Sequence, residues 1–380
     1  MSATMPPDAA LTLNRSTKAL FRPFLLGTVE LANRIVMAPM TRSHSPGGVP
    51  GADVAAYYRK RAEGGVGLIM TEGTFVPHPS AGFDPNVPRF YGEDALDGWR
   101  QVSEHVHAEN GRIFPQLWHV GLVIRPGQEP AAGVRAVGPS GLAKPGERIA
   151  GPMSQADIDA VVEAFGKAAH SAQALGFDGV ELHGAHGYLI DQFFWEGTNE
   201  RSDRYGGDLV SRTRFAVDVI QEVRRRVSRD FPVVLRFSQW KLQDFDAKLV
   251  RTPQELERFL RPLVDAGVDA FHCSTRRFWE PEFAGSELNL AGWTKKLTGK
   301  PAITVGSVTL TDEFVRSFRT DETTSVSGID NLLDRLERDE FDLVAVGRSL
   351  IANPDWADIV RRGDLRKLRP FQRGVLAELV

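Results

Sequence analysis

The chain is 380 residues long, 42% apolar and 25% charged, with 46 basic against 49 acidic side chains and a formal charge of −3. That balance argues against a nucleic-acid or anionic-membrane partner held by bulk charge. The single cysteine, Cys273, excludes an intrachain disulfide, a thiolate metal cage and an iron–sulfur cluster.

In chain order, residues 1–20 read as a poorly ordered leader and 21–380 as one domain. The leader holds no apolar run of signal-peptide length and no 18 apolar residues stand together, so a soluble, cytoplasmic protein is expected. Short Val/Ile/Leu-rich runs without strict alternation then recur, as for strands buried on both faces. They are Arg34–Ala38, Leu68–Thr71, Arg112–Leu117, Gly179–His183, Val233–Phe237, Ala270–Cys273, Ala302–Val305 and Leu343–Val346. Helices are expected between them: Asp53–Gly64, Asp94–Asn110, Ser154–Leu175, Arg212–Arg229, a stretch from Thr252 to Gly267, Leu290–Leu297, Asn331–Asp339 and Pro354–Arg362. Ser154 with Asp157 resembles a capping box, and Thr252-Pro253-Gln254-Glu255 reads as cap, first-turn proline and third-position Glu. Eight βα repeats predict an α/β fold, a (β/α)8 TIM barrel. No Gly-x-Gly-x-x-Gly follows a strand, which counts against a doubly wound sheet. Residues 121–152, rich in Pro and Gly, read as an insertion after strand three over the barrel mouth. Asp321–Gly328 reads as a flexible tip.

Catalytic groups of such a barrel stand at the C-terminal ends of its strands. Those ends carry Pro39-Met40-Thr41-Arg42, then Glu72-Gly73-Thr74, then Gln116, Trp118 and His119, then His183, His186 and Tyr188. Arg236, Gly306-Ser307 and Gly347-Arg348 follow on later strands. Two imidazoles can hold a substrate oxygen and a phenol can deliver a proton, which suggests addition of hydrogen across a polarised bond. Small residues at 306–307 and 347 admit a phosphate to backbone N–H groups, and Arg348 can neutralise it. Thr41, Gln116 and Arg236 can ring a flat heterocycle. Each has another reading: Thr41 as a turn cap, Gln116 as an inward polar group, Arg236 as the partner of Glu181. His183-x-x-His186 is also the spacing of a zinc half-site, but no third ligand is evident and no metal is expected. Trp118, two residues from Gln116, should wall the same pocket, and Trp279 should narrow its mouth. Cys273 reads as a small apolar residue.

These residues resemble the old yellow enzyme family of FMN-dependent ene-reductases. The marks are 33–42, Gln116-Leu117-Trp118-His119, the block 183–194 with 199–207, and Val346-Gly347-Arg348 with Asn353-Pro354-Asp355. The resemblance runs from about Leu25 to about Trp356. It implies that Pro39, Met40, Thr41, Gly73, Gln116 and Arg236 hold the flavin ring and that Gly306, Ser307, Gly347 and Arg348 hold its phosphate. It implies that His183 and His186 bind the carbonyl or nitro oxygen of an activated alkene, that Tyr188 protonates it, and that NAD(P)H is the reductant. Phe237-Ser238-Gln239-Trp240 and the stretch 274–281 depart from the common pattern and bear on substrate preference. Neither the natural alkene nor the choice between monomer and homo-oligomer is legible. Rival functions are a flavin dehydrogenase or demethylase running oxidatively, and a flavin-binding protein without turnover.

Overall fold

Eight Val/Ile/Leu-rich strands close into a parallel barrel in the computed structural model, which describes residues 11–312 and 323–380. They are β3 (Ile35–Met37), β4 (Leu68–Phe75), β5 (Ile113–Trp118), β8 (Val180–His186), β9 (Val233–Lys241), β10 (Ala270–Ser274), β11 (Ala302–Val305) and β12 (Leu343–Val346). Chain order is spatial order around the ring, and β12 pairs with β3 to close it. Two hairpins lie outside: β1 (Phe24–Leu26) with β2 (Val29–Leu31), and β6 (Leu142–Lys144) with β7 (Glu147–Arg148). The second lies within the excursion at 121–152.

Alternation along the strands builds two shells. Val36, Leu68, Met70, Phe114, Val234, Ala270, Ile303 and Leu343 form one buried cluster with Leu26 and Leu31 of the first hairpin. That hairpin therefore plugs the ring at one end. The intervening residues, among them Ile35, Ile69, Ile113, Leu182 and Val344, belong to the larger cluster under the helices. With both faces covered, the strands have no solvent-facing side, which is why they read as largely apolar runs.

Helix signals act as expected. Ser154 and Asp157 form a reciprocal capping box at the start of Gln155–Ala174. Thr252 caps Pro253–Ala266, which stops at Gly267 with φ 113°, a conformation that suits glycine. The stretch expected as Arg212–Arg229 is a 3₁₀ turn, Ser211–Thr213, running into Arg214–Arg226. Of the expected leader, residues 11–20 pack against the barrel: Leu20 is fully buried and Asn14 donates to the Asp330 carboxylate. Residues 1–10 lie outside the described residues. So do 321 and 322 of the expected tip, whose described part is tied down by pairing of Thr324 with Phe371 and Val326 with Leu310. Among the described residues, no helix is long and apolar enough to cross a membrane.

Candidate active site

The strands' C-terminal ends open onto a cavity of about 600 Å³, within the range of ligand sites. Pro39, Met40 and Thr41 line it beside Gln116, Trp118 and Arg236, with His183, His186 and Tyr188 on one wall. Gly306, Ser307, Gly347 and Arg348 form another part of the lining. Arg42, Glu72, Thr74 and His119, named at the strand ends, are buried outside the lining, and Gly73 and Trp279 also stand elsewhere. Gly73 pairs with Gln116 in register but sits against Trp118: a Cβ there would lie 2.5 Å from the indole Cε3. It makes room for Trp118. Trp279 is buried edge-on against Phe278, with Arg335 donating to its carbonyl, and is not part of the lining.

On a regular strand His183 and His186, three apart, would face opposite sides of the sheet. The β8–β9 register shifts between Gly184 and His186, a bulge that re-aims the later residue. His186 also takes φ +66°, an uncommon conformation for a non-glycine residue. The chain then turns, placing Tyr188 just ahead of helix Leu189–Phe194. The ring centroids of His183 and His186 lie 5.1 Å apart, Tyr188 is 4.9 Å from His183 and 6.4 Å from His186, and Trp118 is 4.9 Å from Tyr188.

Burial decides the charge states of this wall. It holds both imidazoles well below their usual range, reinforced by the Arg236 guanidinium, so both are neutral near pH 7. The Ala185 N–H donates to His183 Nδ1 at 3.4 Å, which leaves the proton on Nε2. Burial raises the Tyr188 phenol above 10.0, against the opposing pull of Arg125. Tyr188 is therefore kept protonated and able to donate.

Beneath this wall lies a polar floor. Gln116 Nε2 donates to Glu181 Oε1 at 2.7 Å, and His272 Nδ1 meets Glu181 Oε2 at 2.7 Å. The carboxylate thus orients the Gln116 amide, whose carbonyl oxygen remains for a ligand. Arg236 does not hydrogen-bond to Glu181; its Nη2 donates to Ser274 Oγ at 3.4 Å and its buried Nε has no hydrogen-bond partner. At the other end Arg348 Nη2 donates to the Asp312 carbonyl (2.5 Å) and to Ser307 Oγ (3.4 Å). Gly306 has φ +138°. A Cβ on Gly347 would come no nearer than 3.4 Å to Met40 Sδ and 3.9 Å to Ala38 Cβ, so the missing side chain leaves space there. Among the described residues the lining has four arginines, Arg125, Arg236, Arg276 and Arg348, and no carboxylate. An amide, an under-satisfied guanidinium, a glycine cradle and a cationic lining fit a flat, phosphate-bearing anion such as FMN.

Several site residues escaped the sequence. Trp240 stacks on His186 at 4.4 Å between centroids, and Ser274 hydrogen-bonds it. Arg125 comes from the excursion after β5. Trp240 and Ser274 carried a signal only as members of stretches that depart from the common pattern, and Arg125 carried none. Lys241 and Asp191, both without solvent exposure, pair at 2.8 Å, and Asp191 Oδ2 accepts from the Gly187 amide at 2.7 Å. The pair thus holds the turn between His186 and Tyr188. Lys241→Met strands a buried carboxylate and is expected to cost about 3–5 kcal/mol in denaturant unfolding, with Lys241→Met/Asp191→Leu recovering much of it. No recovery in the double variant would argue against the pair.

Glu72 supports Thr41 from behind. It is fully buried and accepts from the amides of Arg42 (2.9 Å) and Ser43 (3.1 Å), yet burial pushes its carboxyl up to about 7. A raised carboxyl favours the folded state in its protonated form. Its contribution is full below 4.5 and is lost as pH rises through about 7. Glu72→Gln stays neutral, so the wild-type unfolding midpoint should fall relative to the variant's across that window. Parallel profiles would refute the assignment.

Comparison with known proteins places this geometry. Residues 19–365 match the model of the NADH:flavin oxidoreductase / NADH oxidase family. The 12-oxophytodienoate reductase 7 of Oryza sativa subsp. japonica is 39% identical over 242 residues, 59% of this chain and 59% of that protein, so the match spans less than two thirds of its length. Putative 12-oxophytodienoate reductase 2 of the same plant is 33% identical over 88% of this chain and 85% of its own. The structure of morphinone reductase in complex with tetrahydroNAD superposes with a TM-score of 0.75 at 29% identity, covering 96% of this chain and 94% of that one.

Proposed function

Because this chain belongs to the NADH:flavin oxidoreductase / NADH oxidase family, the old yellow enzymes, and so is an FMN-dependent oxidoreductase drawing on a nicotinamide reductant, we propose that it is an ene-reductase acting on activated alkenes. When bound, FMN would supply the hydride chemistry, linking NAD(P)H as reductant to the β-carbon of an α,β-unsaturated carbonyl or nitro compound. All else is done by side chains of the cavity. Gln116, Arg236, Thr41, Pro39 and Met40 would hold the flavin ring, and Gly306, Ser307, Gly347 and Arg348 would hold its phosphate. His183 and His186 donate to the substrate oxygen, so negative charge developing there meets two fixed N–H groups. Tyr188 gives its proton to the α-carbon, and Trp118 walls the pocket beside it.

One observation carries this reading: two neutral imidazoles and a protonated phenol share one wall of a cavity whose charged lining residues are all arginines. A protein that only stored flavin would need no such acid. The oxidised holoenzyme is expected to bind para-substituted phenols, whose phenolate oxygen resembles an enolate, and to show it as a change in the visible flavin spectrum. A holoenzyme whose spectrum ignores millimolar phenol would count against the His pair as an oxyanion site.

A further inference from the structure

We infer that Ser274, at the end of β10, is a positioning residue that fixes which nitrogen of His186 carries the proton. Its hydroxyl lies 2.7 Å from His186 Nε2 and 3.4 Å from Arg236 Nη2. A guanidinium can only donate, so Ser274 Oγ accepts from Arg236. Its one O–H still needs an acceptor, and the acceptor that the described residues offer it is His186 Nε2 at 2.7 Å. Nε2 of His186 is accordingly the acceptor, and the proton of this neutral ring sits on Nδ1. Trp240 holds the arrangement from both sides: its ring stacks on His186 with an interplanar angle of 23°, and its Nε1 donates to the Ser274 carbonyl at 3.1 Å.

The consequence concerns the substrate oxygen. Nε2 of His183 and Nδ1 of His186 bond to no protein atom among the described residues, and both rings line the cavity. With Ser274 in place both of these nitrogens carry hydrogen. Were the His186 proton on Nε2, the pair would present one donor and one lone pair, and the lone pair would repel a developing oxyanion. Ser274 therefore converts two imidazoles into a double donor. It also links that donor to Arg236, so flavin edge and substrate oxygen are oriented through one hydroxyl.

The effect on substrate rests on the ene-reductase reading, whereas the proton position is a property of the protein alone. The test separates the two. In holoenzyme labelled with ¹⁵N-histidine, two-bond ¹H–¹⁵N correlations report each ring's tautomer, and His186→Gln assigns the signal. His186 is expected as the Nδ1–H form in the wild type and in Ser274→Thr, and as Nε2–H or a mixture in Ser274→Ala. The dissociation constant of a para-substituted phenol should rise about tenfold in Ser274→Ala, as for one hydrogen bond of ordinary strength, and be restored in Ser274→Thr. An Nε2–H ring in the wild type overturns the proposal even if Ser274→Ala fails to fold. So does an unchanged His186 signal in Ser274→Ala. The expected tautomers without phenol binding in any form would uphold Ser274 and reject the ene-reductase reading.

Discussion

Tyr188→Phe is expected to slow the alkene step by roughly 10²–10⁴-fold, the usual contribution of a positioned acid, while flavin reduction by the nicotinamide keeps its wild-type rate. The substitution removes one oxygen and leaves the ring that packs against Trp118 and His183, so it disturbs packing little. Burial raises the phenol above 10.0, so the acid form persists through the physiological range. The wild-type alkene step should therefore be insensitive to pH until the phenol ionises in strong alkali. Single-turnover measurements of the two half-reactions check this. An equal loss in both would mean that Tyr188 shapes the cavity and supplies no proton.

His183→Ala is expected to slow the same step by about 10²–10³-fold, the cost of removing one donor from an oxyanion site, and to weaken phenol binding in parallel. His183 is the better of the pair to delete. His186 is stacked on Trp240 and bonded to Ser274, so its loss unsettles other groups. His183 is held by one long backbone hydrogen bond, so its imidazole acts chiefly on the ligand. His183→Asn, which keeps an N–H donor near the same place, should recover part of the rate. Equal defects in Ala and Asn would point to packing against Trp118, which lies 6.0 Å away in a stacked geometry.

The barrel was legible because buried parallel strands leave an unmistakable trace, uninterrupted apolar runs bounded by glycine and caps. Their C-terminal bounds were less so. β9 continues to Lys241 and β8 to His186, where apolar residues give way to polar ones that face the cavity or pair below it. Composition there follows the site, so strand propensity fails. His183, His186 and Tyr188 were found as a motif, but the bulge that turns His186 to the same wall has no separate signature. Gly73 and Trp279 show the converse limit. Adjacency in sequence to a strand end does not say which way a side chain points, and Gly73 serves Trp118 while Trp279 packs on Phe278. Ser274 and Arg125 reach the site across 88 and 63 residues from His186 and Tyr188, a proximity created by the side-by-side pairing of β5, β8, β9 and β10.

The account turns on what the wall of two imidazoles and a phenol does to an activated alkene above the flavin. Holoenzyme reduced by NADPH without oxygen and then mixed with 2-cyclohexenone tests it most directly. Prompt return of the oxidised flavin spectrum, with one cyclohexanone formed per flavin, is the result expected. Flavin that stays reduced while the enone is recovered unchanged would contradict it.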